Sequence, residues 1–165
     1  MADNKVTLLG GSNSLKFGGL KTGLSKKSAI LNLALGATSS NQNTYELVRN
    51  REQILETDLI ITESNVNDFH NLNMLDGNIE VVLRNIDILY ATLAEFRIPV
   101  VVLILPLQTE SFKFGDSILS KHRDCSRYFG FNIIDMHEFF QANKISEFFY
   151  FNILDHPLLI IMKQL

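Results

Sequence analysis

Val6-Thr7-Leu8-Leu9-Gly10-Gly11-Ser12-Asn13-Ser14 runs from a short apolar strand into a two-glycine turn and then a serine. A hydroxyl carried just past the end of a strand, with no bulky neighbours to crowd it, is where nucleophilic catalysis is often built. Ser12 is therefore the candidate nucleophile. The same segment also reads as a plain turn or as a phosphate-binding loop, because an isolated motif of this kind recurs in many contexts.

Four further apolar runs repeat the pattern of the first, at Ala29 to Leu35, Leu59 to Thr62, Val100 to Leu105 and Phe131 to Ile134. They lack polar alternation, which is how strands buried on both faces of a parallel sheet read. Between them lie segments with helical spacing. The clearest is Ile79, Val82, Leu83, Ile86, Leu89, Leu93 and Phe96, preceded by Asp76-Gly77-Asn78 as a capping region. Phe112, Ile118, Leu119, His122 and Cys125 mark another. Strands alternating with helices imply right-handed crossovers and a three-layer α/β/α sandwich around a mainly parallel five-stranded sheet. No repeat, linker or low-complexity tract divides residues 1–165, so a single domain is expected.

Composition narrows the function classes. The chain has 165 residues, 46% of them hydrophobic and 20% charged, which suits a globular core rather than disorder. A net charge of −3 without a dense Lys or Arg run gives no electrostatic reason to bind nucleic acid or anionic lipid. No apolar segment approaches the roughly 20 residues needed to span a bilayer, and a polar start leads straight into a strand. Cytoplasmic localisation is the expectation. Cys125 has no partner for an internal disulfide and reads as a small buried side chain.

In folds of this class ligands gather beyond the carboxyl ends of the strands. The residues there are Gly10-Gly11-Ser12-Asn13-Ser14, Gly36-Ala37-Thr38-Ser39-Ser40, Glu63-Ser64-Asn65-Val66-Asn67-Asp68-Phe69-His70 and Asp135-Met136-His137, with Asp155-His156-Pro157 near the end of the chain. Small, polar and titratable side chains thus collect along one edge.

Over nearly its whole length the chain resembles the SGNH hydrolases, the GDSL-type esterase and acetylesterase family, whose Ser, Gly, Asn and His stand in four separated blocks. The serine block is Gly10-Gly11-Ser12-Asn13-Ser14, with Gly11 where the family usually has Asp. The glycine block is Leu33-Ala34-Leu35-Gly36-Ala37-Thr38. Asn65-Val66-Asn67-Asp68 matches Gly-x-Asn-Asp, with Asn65 in the glycine's place, and the last block is His156-Pro157. The resemblance implies a flavodoxin-like SGNH hydrolase fold and a serine esterase acting on a small acyl ester, such as an acetyl group on a carbohydrate, through an acyl-enzyme. It further implies an oxyanion hole made of the Ser12 and Gly36 backbone N–H groups and the Asn67 amide, with His156 as base. No cofactor or metal is implied.

The family usually carries an aspartate three residues before the histidine, and Ile153 stands there instead. Asp155 is either a triad member or a helix cap ahead of Pro157. The short stretch after His156 reads as a brief last helix or a truncated chain. Gly36 also reads as a strand end and Asn67-Asp68 as an ordinary turn. His70 and His137 compete for the base role, while His122 sits on an apolar helical stripe and reads as a core residue. His70 and His137 with Asp68 and Asp135 lack the compact ligand spacing of a metal site. The aromatic runs Phe139-Phe140 and Phe148-Phe149-Tyr150-Phe151 read as core or as a partner surface. Acyl transfer to a saccharide hydroxyl, or a non-catalytic doubly wound binding domain that keeps the pocket, are the alternative functions.

Overall fold

A computed structural model describes residues 4–74, 78–107, 114–144, 149–150 and 153–157. The five apolar runs become β1 (Lys5–Leu9), β2 (Ala29–Asn32), β3 (Leu59–Thr62), β4 (Val100–Ile104) and β5 (Asn132–Asp135). They form one sheet in the order β2-β1-β3-β4-β5 with every pairing parallel, so the expected α/β architecture is the one observed. The second strand is shorter than the Ala29 to Leu35 run, yet its chain keeps following β1. Leu33 and Leu35 donate their N–H groups to the carbonyls of Leu8 and Gly10, each at 2.9 Å.

Helices α1 (Ser12–Leu15) and α2 (Leu20–Leu24) follow β1. Helices α3 (Ser40–Arg49) and α4 (Arg51–Ile54) follow β2, and α5 (Asn65–Met74) and α6 (Ile79–Glu95) follow β3. Helix α7 (Gly115–Phe129) lies between β4 and β5, and α8 (Met136–Asn143) comes after β5. A short antiparallel pair, β6 (Phe149–Tyr150) and β7 (Ile153–Pro157), stands apart from the main sheet. Among the described residues no helix is long and apolar enough to cross a membrane.

The helical stripe read from the sequence is the buried face of α6, where Val82, Ile86, Leu89 and Leu93 are all buried. Asn78 caps it by accepting the Val81 N–H. Asp76 and Gly77 lie outside the described residues, as does Phe112. Helix α7 starts at Gly115, after Phe114 in a left-handed conformation at φ +67°, and its stripe of Ile118, Leu119, His122 and Cys125 is buried.

Side chains alternate across the sheet. Leu9, Ile60, Val100, Val102 and Ile104 share one face by register, and the long helices α3, α6 and α7 pack together over it with Leu47, Ile86, Leu89 and Leu93. The other face presents Ile61, Val101, Leu103 and Ile134 to the short helices α2 and α8. There Leu20 and Leu24 leave a cavity of about 120 Å³. Phe140 is buried and Phe139 exposed, which divides that aromatic pair between core and surface. The side chains of the second aromatic run lie outside the described residues.

Candidate active site

Strand β1 ends at Leu9, and the turn that follows is packed from two sides. A Cβ on Gly10, whose φ is +157°, would stand 2.6 Å from the Glu63 carboxylate Oε1 and 2.5 Å from the Ser14 hydroxyl. A Cβ on Gly11 would overlap the side-chain amide nitrogen of Asn67. Both positions require glycine because other groups occupy the space a side chain would need. The departure at position 11, glycine where the resemblance leads one to expect aspartate, thus has a local cause: the Asn67 amide is seated directly against that backbone.

Ser12 is half-buried and opens α1, with Gly11 in extended conformation before it. The loop after β2 reaches the same turn through the Leu35 N–H to Gly10 carbonyl bond. That places Gly36 one residue from the contact, with nothing within 4 Å of where a Cβ would project. Ser12, Gly36 and Asn67, remote in sequence, therefore come together at the end of β1. Gly36 also opens a cleft of about 430 Å³ lined by Leu35, Ala37, Thr38, Ser39, Asn41, Gln42 and Asn71, with no charged residue in the lining among the described residues.

Asn67 and Asp68 are not turn residues, since both belong to α5, which Asn65 opens. The Asn65 amide acts as a peptide group, donating to the Leu105 carbonyl at 2.8 Å and accepting the Leu105 N–H at 3.0 Å. An asparagine in the family's glycine position thereby stitches the start of α5 to the end of β4. Asp68 accepts the backbone N–H and hydroxyl of Ser40 at 2.8 and 2.7 Å and pairs with His122 Nε2 at 2.9 Å. His122 Nδ1 meets the Tyr90 hydroxyl at 3.1 Å, and Ser126 donates to Tyr90. This buried chain joins α3, α5, α6 and α7, and it engages both ring nitrogens of His122.

Of the other histidines, His70 lies in α5 and is half-buried. His137 is buried at the start of α8, and its Nδ1 accepts the Leu107 N–H at 3.3 Å, so the proton sits on Nε2. Burial, helped by the Arg123 charge, holds this ring below the usual histidine value. Among the described residues no three His, Cys, Asp or Glu side chains cluster as metal ligands. Asp155 and His156 lie within β7, so residue 155 stands inside a strand and not at the helix start the capping reading required. Their side chains lie outside the described residues.

Sequence reasoning gave no role to Glu63. It is fully buried and accepts the Gly11 N–H at 2.7 Å and the Ser14 hydroxyl at 2.9 Å through Oε1, while Oε2 has no partner among the described residues. Burial raises its pKa to about 7, with the nearby Asp68 charge adding to the rise and the bonds from Gly11 and Ser14 opposing it. The only sequence signal was an acidic residue directly after an apolar strand.

No family model and no curated protein sequence matches the chain. Solved structures do, over nearly the whole length. An acetyl xylan esterase, AlAXEase, superposes with a TM-score of 0.70 at 16% identity, covering 97% of this chain and 94% of its own. A lipase/acylhydrolase from Enterococcus faecalis gives 0.75 at 14%, covering 98% and 90%. The psychrotrophic esterase EstA from Pseudoalteromonas sp., in a structure inhibited by monoethylphosphonate, gives 0.69 at 13%, covering 98% and 93%. The chain has the fold of the SGNH and GDSL-type esterases.

Proposed function

With that shared fold as premise, we propose that the protein is a serine esterase that removes a small acyl group through an acyl-enzyme. The observation that carries the reading is the seating of the Asn67 amide against the Gly11 backbone, one residue before Ser12, with Gly36 held alongside by the Leu35–Gly10 bond. Three hydrogen-bond donors around one hydroxyl are what a tetrahedral oxyanion needs, and losing one such donor costs about 3 to 4 kcal/mol of barrier in a comparable enzyme.

In this reading the Ser12 Oγ attacks the ester carbonyl carbon while His156 takes the hydroxyl proton. The carbonyl oxygen becomes an oxyanion facing the Ser12 and Gly36 N–H groups and the Asn67 amide. The C–O bond to the alcohol breaks, and His156 returns the proton to the departing oxygen. Water, deprotonated by the same imidazole, then attacks the acyl-serine, which releases the acid and regenerates Ser12. Asp155 or a backbone carbonyl orients the ring. Asn67 suits its task because an amide donates without titrating.

An acetylated carbohydrate is the substrate class we favour. Among the described residues the cleft beside Gly36 carries amides and hydroxyls without charge, which suits a neutral polyhydroxyl leaving group, and one structural neighbour is an acetyl xylan esterase. The test exposes the protein to a fluorophosphonate probe and to p-nitrophenyl acetate, beside Ser12→Ala and His156→Ala variants. Labelling and turnover should vanish with Ser12 and collapse with His156. Equal, negligible labelling of all three proteins would remove the esterase and leave a binding domain. Loss of activity in a His70 or His137 variant, with the His156 variant fully active, would move the base elsewhere.

A further inference from the structure

Strand β1 stops at Leu9, so the Gly11 N–H has left the sheet ladder and must find an acceptor elsewhere. Glu63 provides it. Its own N–H still donates to the Leu9 carbonyl at 3.2 Å, which fixes its backbone to the end of β1, while its side chain reaches across to the turn. Oε1 accepts from Gly11 at 2.7 Å and from Ser14 at 2.9 Å, two residues that bracket Ser12. The turn also meets Asn67, four positions further along the same segment.

We infer that Glu63 is a positioning residue for the nucleophile: its carboxyl clamps the Gly10–Gly11–Ser12 turn against Asn67, so that the serine and the oxyanion donors share one fixed geometry. The inference rests on the esterase reading for its catalytic consequence and on the hydrogen bonds alone for its structural one. An apolar residue at position 63 would leave the Gly11 N–H and the Ser14 hydroxyl buried without an acceptor. Gly10 is part of the same device, because a Cβ there would push the carboxyl away. The side-chain oxygen needs to accept but not to be charged, so glutamine can replace glutamate and a shorter acid cannot.

The test compares Glu63→Gln, Glu63→Asp and Glu63→Ala with the wild type in three measurements: kcat and KM for p-nitrophenyl acetate, the fluorophosphonate labelling rate, and amide hydrogen exchange at residues 10–14. Glu63→Gln is expected to keep kcat within a few-fold. Glu63→Asp, which withdraws the acceptor by one methylene, should lose about 10-fold, and Glu63→Ala about 100-fold, with KM little changed, as a displacement near 1 Å produces. Gly11 exchange should quicken in the same order. A folded Glu63→Asp or Glu63→Ala protein with wild-type kcat and wild-type Gly11 exchange would overturn the inference. If the alanine variant does not fold, the aspartate and glutamine pair decides it. A wild type that takes no label would sink the esterase reading instead, and the exchange data would still report whether Glu63 holds the turn.

Discussion

The two faces of the sheet are built to different standards. On one, Ile104 is 0% exposed beneath long helices, and a buried polar chain from Ser40 through Asp68, His122 and Tyr90 to Ser126 ties α3, α5, α6 and α7 together. On the other, Ile134 is 49% exposed and short helices leave a cavity of about 120 Å³. Close packing and buried hydrogen bonds are concentrated on the first face. The Gly10–Gly11–Ser12 turn lies past the end of β1, in contact with the Glu63 carboxyl and the Asn67 amide.

Substitutions on each face should separate these roles. Asp68→Ala strands the Ser40 N–H, the Ser40 hydroxyl and His122 without their acceptor, and should lower the unfolding free energy by about 3–5 kcal/mol in a urea titration. A loss below about 1 kcal/mol would mean that the polar chain does not hold the packed face. Leu89→Ala, within the same layer, should cost about 2–4 kcal/mol because its neighbours cannot close the space. Ile134→Ala, on the open face, should cost under about 1 kcal/mol in the same assay. Similar losses at the two sites would erase the contrast.

Glu63 gives the comparison a pH dimension. Its folded pKa lies near 7 and its usual value is 4.5, so between them the folded chain keeps a proton that the unfolded chain has released. Stability from this group is complete below about 4.5, falls as pH rises toward 7, and stays lost above. Glu63→Gln should therefore gain, relative to wild type, on the order of 3 kcal/mol between pH 4.5 and 8 in thermal or urea unfolding. A constant difference across that range would show that Glu63 is not protonated in the folded state. His137 works in the opposite sense and more weakly. Its folded pKa is lowered, so its contribution is present above pH 6.5 and lost as the pH falls. His137→Gln should flatten the acid-side slope slightly.

Much of the fold was legible because burial leaves periodic marks in the chain. Continuous apolar runs locate the five strands of the main sheet but not the β6–β7 pair, and 3.6-residue spacing marks the α6 stripe of Val82, Ile86, Leu89 and Leu93. Errors fell at element ends. The run through Leu35 continued along β1 by hydrogen bonds after the regular strand had stopped at Asn32, a distinction that hydrophobicity does not carry. Asn67 and Asp68 also read as a turn, because their shared preference for turns and for the first residues of helices hides which one packing selects.

Residue types and their order along the chain determined the sandwich, the edge where polar groups collect and the order of the Ser12, Gly36, Asn67 and His156 blocks, since local spacing follows from helix and strand geometry. Tertiary structure decided which groups meet: Glu63 with Gly11, Asn65 with Leu105 and Asp68 with His122 are contacts between residues 52, 40 and 54 positions apart. Hydrogen bonds of that reach depend on where the folded sheet brings its strand ends, and no local pattern in a sequence records a partner so distant.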